Sequence, residues 1–129
     1  MPSPLDTVIG ALQAYLDKDR AAIEALIADD YRFTSPLDNG LDRDAYFAIC
    51  WPNSESMSGF EFIYGAETED AAFIVYEGSA ASGKRFRNSE FHRVRNGQLT
   101  ATEVYFGWNV PHPVAAGEHQ DDDGTGGHA

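Results

Sequence analysis

Residues 84–95 read KRFRNSEFHRVR, and three of them could build an acid–base site if they share a face. At a period of two, Phe86, Asn88, Glu90, His92 and Val94 alternate with Arg85, Arg87, Ser89, Phe91, Arg93 and Arg95. A β-strand sends successive side chains to opposite faces, so one face would hold four arginines. The other would hold an amide, a carboxylate and an imidazole between apolar ends. Desolvation among apolar neighbours disfavours the charged form of a carboxylate and poises such a group to exchange protons near neutral pH. On that reading Glu90 is the acid or base, His92 shuttles the proton or biases Glu90, and Asn88 orients a ligand carbonyl. The structural alternative pairs Glu90 with an arginine or a tyrosine hydroxyl and leaves His92, close to the strand end, in water.

The arginine face also has two readings. It either binds an anionic ligand or forms an outer ladder of ion pairs with Glu77 and Glu103 on flanking strands, and the ladder is the expectation. Pockets are aromatic with few polar groups, which makes Phe33, Trp51, Phe62 and Phe106 candidate lining residues, with Ser35 and Tyr15 as hydrogen-bond partners. Cys50 reads as packing, since nothing in the sequence pairs it with a base.

Elements that could position these residues follow from the apolar spacing. Leu5, Val8, Ile9, Leu12 and Leu16 mark one face of a helix. Asp19 caps a second helix with Ala22, Ile23, Leu26 and Ile27 inward. A short strand, YRFTSP, places Tyr31, Phe33 and Ser35 on one face, and Pro36, Asp38, Asn39 and Gly40 make a turn. Asp42 caps a third helix, Arg43 to Trp51, closed by Pro52. The segments FEFIYGAE, AFIVYEGSA, RFRNSEFHRVR and QLTATEVYFGW then read as four strands, the last two joined by the two-residue hairpin signal Asn96-Gly97. Helices followed by consecutive strands make an α+β architecture. AFIVY is apolar on both faces, so both are covered: one by the helices, the other by a second copy of the chain across the outer sheet face.

Composition narrows the function classes. Residues 1–83 carry fifteen acids against four bases, residues 84–95 five bases against one acid, and the remainder five acids with no Lys or Arg, for a net charge of −12. That balance repels a polyphosphate backbone, so nucleic acid is excluded as a partner. A single cysteine allows no intrachain disulfide. The start, MPSPLDTVIG, has neither a basic region nor a long apolar run, and no segment is long enough to cross a bilayer, so a cytoplasmic protein without membrane association is expected. Residues 1–110 form one domain, and 111–129, rich in Gly, Asp and Pro, a flexible acidic tail. The tail holds His112, His119, His128 and the Asp121–Asp123 run without fixed ligand spacing, so no metal site is expected, and no dinucleotide or phosphate loop is present.

The helix ending in Ala28-Asp29-Asp30, the F-x-S-P stretch from Phe33 to Pro36, the capped helix and the four long strands resemble the nuclear transport factor 2-like superfamily. NGQLTATEVYFGW resembles the final hairpin of its SnoaL-like branch, and the likeness spans roughly residues 5–108. The resemblance implies a cone-shaped fold: three N-terminal helices packed on a strongly curved antiparallel sheet that encloses one pocket. It implies that Glu90 occupies the place of the pocket acid of ketosteroid isomerases, and that Ser35 and Ala11 stand where those enzymes carry an aspartate and a tyrosine. It also implies that Val104 replaces the last acid of the epoxide hydrolases. A SnoaL-like cyclase acid/base role for Glu90 and His92 is compatible with this pattern. The function expected is binding of a small hydrophobic carbonyl- or hydroxyl-bearing molecule, with or without cofactor-independent cyclase, isomerase or hydratase chemistry.

Overall fold

The computed structural model describes residues 2–121. Helix α1 (Pro4–Asp17) begins where the Ser3 side chain accepts from the Asp6 amide and Pro4 takes a first-turn position that needs no N–H. It ends at Lys18, which adopts a left-handed conformation (φ 58°) and donates its amide to the last turn. Helix α2 (Arg20–Leu26) starts, as expected, at an Asp19 cap that accepts from the Ala22 amide at 3.1 Å.

The second helix is shorter than expected. Ile27 opens strand β1 (Ile27–Ser35), so Ala28-Asp29-Asp30 lies in a strand and does not end a helix. A β-branched side chain is stiff at χ1 and fits the sheet, and Ile27 is 2% exposed there. The turn region also holds a short strand, β2 (Asp38–Leu41), paired antiparallel with β1.

Helix α3 starts at the expected Asp42 cap, which accepts from the Ala45 amide at 2.9 Å. It keeps α geometry only over Arg43–Ala45, widens to a π-turn over Tyr46–Cys50, and tightens to a 3-10 helix over Trp51–Ser56. Pro52 therefore does not close the segment; it sits in the first turn of the 3-10 stretch, where a missing N–H costs nothing.

Four long strands follow: β3 (Met57–Glu67), β4 (Ala71–Ala80), β5 (Arg85–Arg95) and β6 (Gln98–Asn109). They form a meander in which each pairs antiparallel with the next. The β5–β6 hairpin turns on Asn96 (φ 53°) and Gly97 (φ 76°), the two positive angles that a tight primed turn requires. The sheet order is β2-β1-β6-β5-β4-β3. β1 joins β6 in parallel, so the sheet is mixed at that one pairing, whereas the sequence suggested antiparallel strands throughout.

The core lies between α1, α3 and the inner sheet face, around Val8, Ile23, Ile27, Tyr31 and Ile74, each at most 2% exposed. No helix among the described residues is long and apolar enough to cross a membrane. Residues 111–121 run without helix or strand, and the Asp122-Asp123 pair and His128 lie outside the described residues.

Candidate active site

The inner face of β5 carries Phe86, Asn88, Glu90, His92 and Val94, as the period of two requires, because β5 is regular between Asn88 and Arg93. Glu90 and His92 are 8% and 4% exposed. His92 is thus buried in the row with Glu90, and not in water at the strand end as the structural alternative had it. Two irregularities at the flanks shape the rest of the face. A bulge at Thr100 turns Leu99 inward, opposite Val94, where strict alternation from Glu103 would put it outward. A second bulge at Gly107 sends Trp108 to the outer face opposite Arg87, whose guanidinium lies 5.8 Å from its ring centroid.

Glu90 is held at both oxygens. Tyr76, on β4, donates its hydroxyl to Glu90 Oε2 at 2.6 Å, and His92 Nε2 shares a 2.8 Å hydrogen bond with Oε1. The other imidazole nitrogen, Nδ1, shares a 2.8 Å hydrogen bond with the Thr102 hydroxyl of β6. Register brings these groups together: His92 pairs directly with Thr102, and Tyr76 with Asn88. A chain Tyr76–Glu90–His92–Thr102 results, spread over three adjacent strands. It has two proton arrangements: an ionised Glu90 accepting from His92 while Thr102 donates to Nδ1, or a protonated Glu90 donating to Nε2 while Nδ1–H donates to Thr102. The second arrangement holds one proton more than the first, so the chain takes up or releases a single proton at Glu90, with a change of His92 tautomer, while every group stays paired.

Asn88 is fixed differently. Its Oδ1 accepts from the Gly107 amide at 3.2 Å, which directs the side-chain amino group away from β6. Gly107 is required for this contact, because a Cβ there would lie 2.2 Å from the Arg87 carbonyl oxygen.

These groups line a cavity of about 290 Å³ between α1, α3 and the sheet. Asn88, Glu90, His92, Phe33, Ser35, Phe106 and Tyr15 all border it. Burial drives the hydroxyls of Tyr31, Tyr46, Tyr76 and Tyr15 well above the usual tyrosine range, so they are donors throughout the working pH range. The Cys50 thiol, also on the wall, is pushed up to about 11 by burial and the nearby Asp38 charge, which makes it an inert neutral group.

Two expected lining residues are elsewhere. The π-turn ends with the Trp51 amide bonded to the Tyr46 carbonyl, and this wide winding puts Cys50 on the cavity and Trp51 behind it. Trp51 packs edge-on against Tyr15 with centroids 5.6 Å apart. Phe62 covers Gly65: a Cβ at that glycine would meet the Phe62 ring at 2.4 Å. It is 48% exposed and away from the cavity.

Ser35 borders the cavity mainly as a turn bracket, donating to Asp38 at 2.7 Å and accepting from the Leu37 amide. Asp38 is a second carboxylate on the wall that the sequence reading missed, having been assigned to a turn. Among the described residues no three His, Cys, Asp or Glu side chains are placed to hold a metal ion.

On the outer face Glu77 takes Arg85 at 3.1 Å and Arg87 at 2.6 Å, as the ladder reading expected. Glu103 does not join: it lies opposite Phe91 and accepts from the Tyr105 hydroxyl. Arg95 instead takes Asp30 at 2.9 Å.

The sequence matches no protein-family model and no curated protein. Solved structures match over most of their length. One is a protein from Kribbella flavida, with a TM-score of 0.75 at 19% identity over 81% of this chain and 87% of that one. Another is an NTF2-like protein of unknown function from Cytophaga hutchinsonii, with 0.66 at 18% identity over 83% and 92%. A de novo designed protein with a curved β-sheet reaches 0.68 at 12% identity over 78% and 82%. At such identities the likeness is one of architecture. The chain has the fold of the nuclear transport factor 2-like superfamily.

Proposed function

We propose that the cavity binds a small apolar molecule bearing a carbonyl or hydroxyl group and that Glu90 moves a proton on it without a cofactor, as a SnoaL-like cyclase, isomerase or hydratase does. The observation that carries this reading is the Tyr76–Glu90–His92–Thr102 chain on a mostly apolar wall. Ionised Glu90 takes a proton from a carbon next to the ligand carbonyl. The electron pair moves to the carbonyl oxygen, where the oriented Asn88 amino group receives the negative charge. Return of the proton to another carbon completes an isomerisation, and the pair Glu90–His92 ends as it began. The buried single cysteine, held as a thiol, fits a reducing, cytoplasmic setting.

The test is deuterium exchange at the α-carbons of cyclohexanone in deuterated water, followed by proton NMR. The wild-type protein is expected to exceed the buffer rate, Glu90→Gln to fall back to it, and Asn88→Ala to lose part of the gain. One observation favours a purely binding module of the same fold. Both Glu90 oxygens already take internal hydrogen bonds, which is what a structural carboxylate needs. Binding of ketones without any exchange above buffer would select that reading.

A further inference from the structure

The row that carries Asn88, Glu90 and His92 extends beyond the cavity. Phe86 continues it, and the same alternation reaches Lys84 in the turn before β5. A second cavity of about 380 Å³ lies at that end, with Lys84, Asn109 and Pro113 on its outer side. Its inner side is made by Phe86, Asn88 and Phe106, and these three also border the first cavity. Asn88 and Phe106 are cross-strand neighbours, so this pair is the shared wall of both spaces. Phe86 is pinned over Gly78, whose hypothetical Cβ would meet the ring at 2.5 Å.

Charge distinguishes the outer end. Arg85 and Arg87 are held by Glu77, Arg93 by Asp70 and Arg95 by Asp30. Among the described residues no carboxylate lies within salt-bridge distance of the Lys84 ammonium. In a chain of net charge −12 an unpaired cation at a cavity rim is the feature most in need of a partner. Asn109 beside it offers amide hydrogen-bond donors.

We propose that the two cavities form one elongated site for a hydrophobic molecule with a carboxylate end, the carboxylate at Lys84 and Asn109 and the reacting hydroxyl or carbonyl at Glu90 and His92. The inference rests on reading the first cavity as a ligand site, and it adds the ligand's charge and length. Strand rise puts the Cα atoms of Lys84 and Glu90 roughly 20 Å apart, a span that an extended chain of about ten carbons covers once the lysine's own reach is subtracted. Such a ligand passes Asn88 and Phe106 at its middle.

Calorimetric titration with ω-hydroxydecanoate and with the matching α,ω-decanediol tests this on the wild-type protein, Lys84→Gln and Lys84→Arg. Lys84 is exposed and its side chain holds no fold contact in the hydrogen-bond network, so the variants keep the structure. The acid is expected to bind roughly tenfold tighter than the diol, the factor a charge-assisted contact supplies. Lys84→Gln should erase that preference, chiefly by weakening the acid, and Lys84→Arg should keep it. Equal binding of acid and diol to the wild-type protein, or a preference that survives Lys84→Gln, overturns the proposal. Diol binding without an acid preference leaves the first cavity a ligand site and removes only the extension. Failure of both compounds to bind removes both.

Discussion

Four tyrosines surround Glu90, and their burial gives this site a pH signature of its own. Tyr31, Tyr46 and Tyr76 are raised chiefly by desolvation, and the Glu90 charge adds to each; for Tyr31 a Thr102 hydrogen bond offsets part of the rise. In the unfolded chain a tyrosine loses its proton near pH 10. A raised folded value means the native state binds more protons above that pH, so the contribution is complete below about pH 10 and is lost as pH climbs further. Each such group removes up to about 1.4 kcal/mol per pH unit, and three together about 4. Urea midpoints taken from about pH 9 to about pH 11 should stay level at first and then fall steeply, with tyrosinate absorbance rising together with loss of folded structure. Tyrosinate appearing fully while the fold persists would show these hydroxyls to be solvated. At this scale Glu90, His92 and Asn88 were legible from alternation alone. Tyr76 and Thr102 were not, because their contact depends on which residue stands opposite, and register is a property of strand pairs.

Strands were read well from the sequence, since aromatic and β-branched residues at a period of two leave few alternatives, and both Asp caps were read at the right positions. What escaped was every place where an element departs from its own period. The π-turn at Tyr46–Cys50 exchanged Trp51 for Cys50 on the cavity, and the bulges at Thr100 and Gly107 reversed Leu99 and Trp108. No local residue pattern specifies such an extra residue, because its cause is packing against another element. The Gly107 bulge carries a prediction. Gly107→Ala drives a Cβ into the Arg87 carbonyl, so the bulge must open or shift, and Asn88 loses the amide that orients it. Destabilisation of about 2–3 kcal/mol is expected by urea denaturation, in the range of overpacking strain. Ketone exchange should fall further than the loss of folded protein explains. A variant as stable and as active as the wild type would make Gly107 dispensable to the site.

Among the described residues, one face of the sheet has no cover. Phe73, Tyr64 and Tyr105 are 49%, 65% and 55% exposed, and the Phe73 and Phe91 rings pack at a tilt with centroids 4.8 Å apart. The arginines at the margins are already neutralised by Glu77, Asp70 and Asp30, so this face presents an apolar centre within a balanced rim, the arrangement of an interface. Four strands about 4.8 Å apart and roughly 30 Å long give a face of about 600 Å² before side-chain relief is added. That is of the order of the ~800 Å² per partner that a stable interface buries. A homodimer through this face is the occupant we expect, and it explains why AFIVY is apolar on both sides. Light scattering on a size-exclusion column should give twice the mass of the chain. Phe73→Glu places a charge at the centre of the contact while leaving the inner face untouched, because Phe73 points away from Ile74 and the cavity. It should shift the peak to the monomer and retain ketone binding, since Phe73 does not border the first cavity. A wild-type monomer would mean the face is left to solvent or to another protein. Lost ketone binding in a folded Phe73→Glu monomer would mean that the cavity depends on the second copy for its shape.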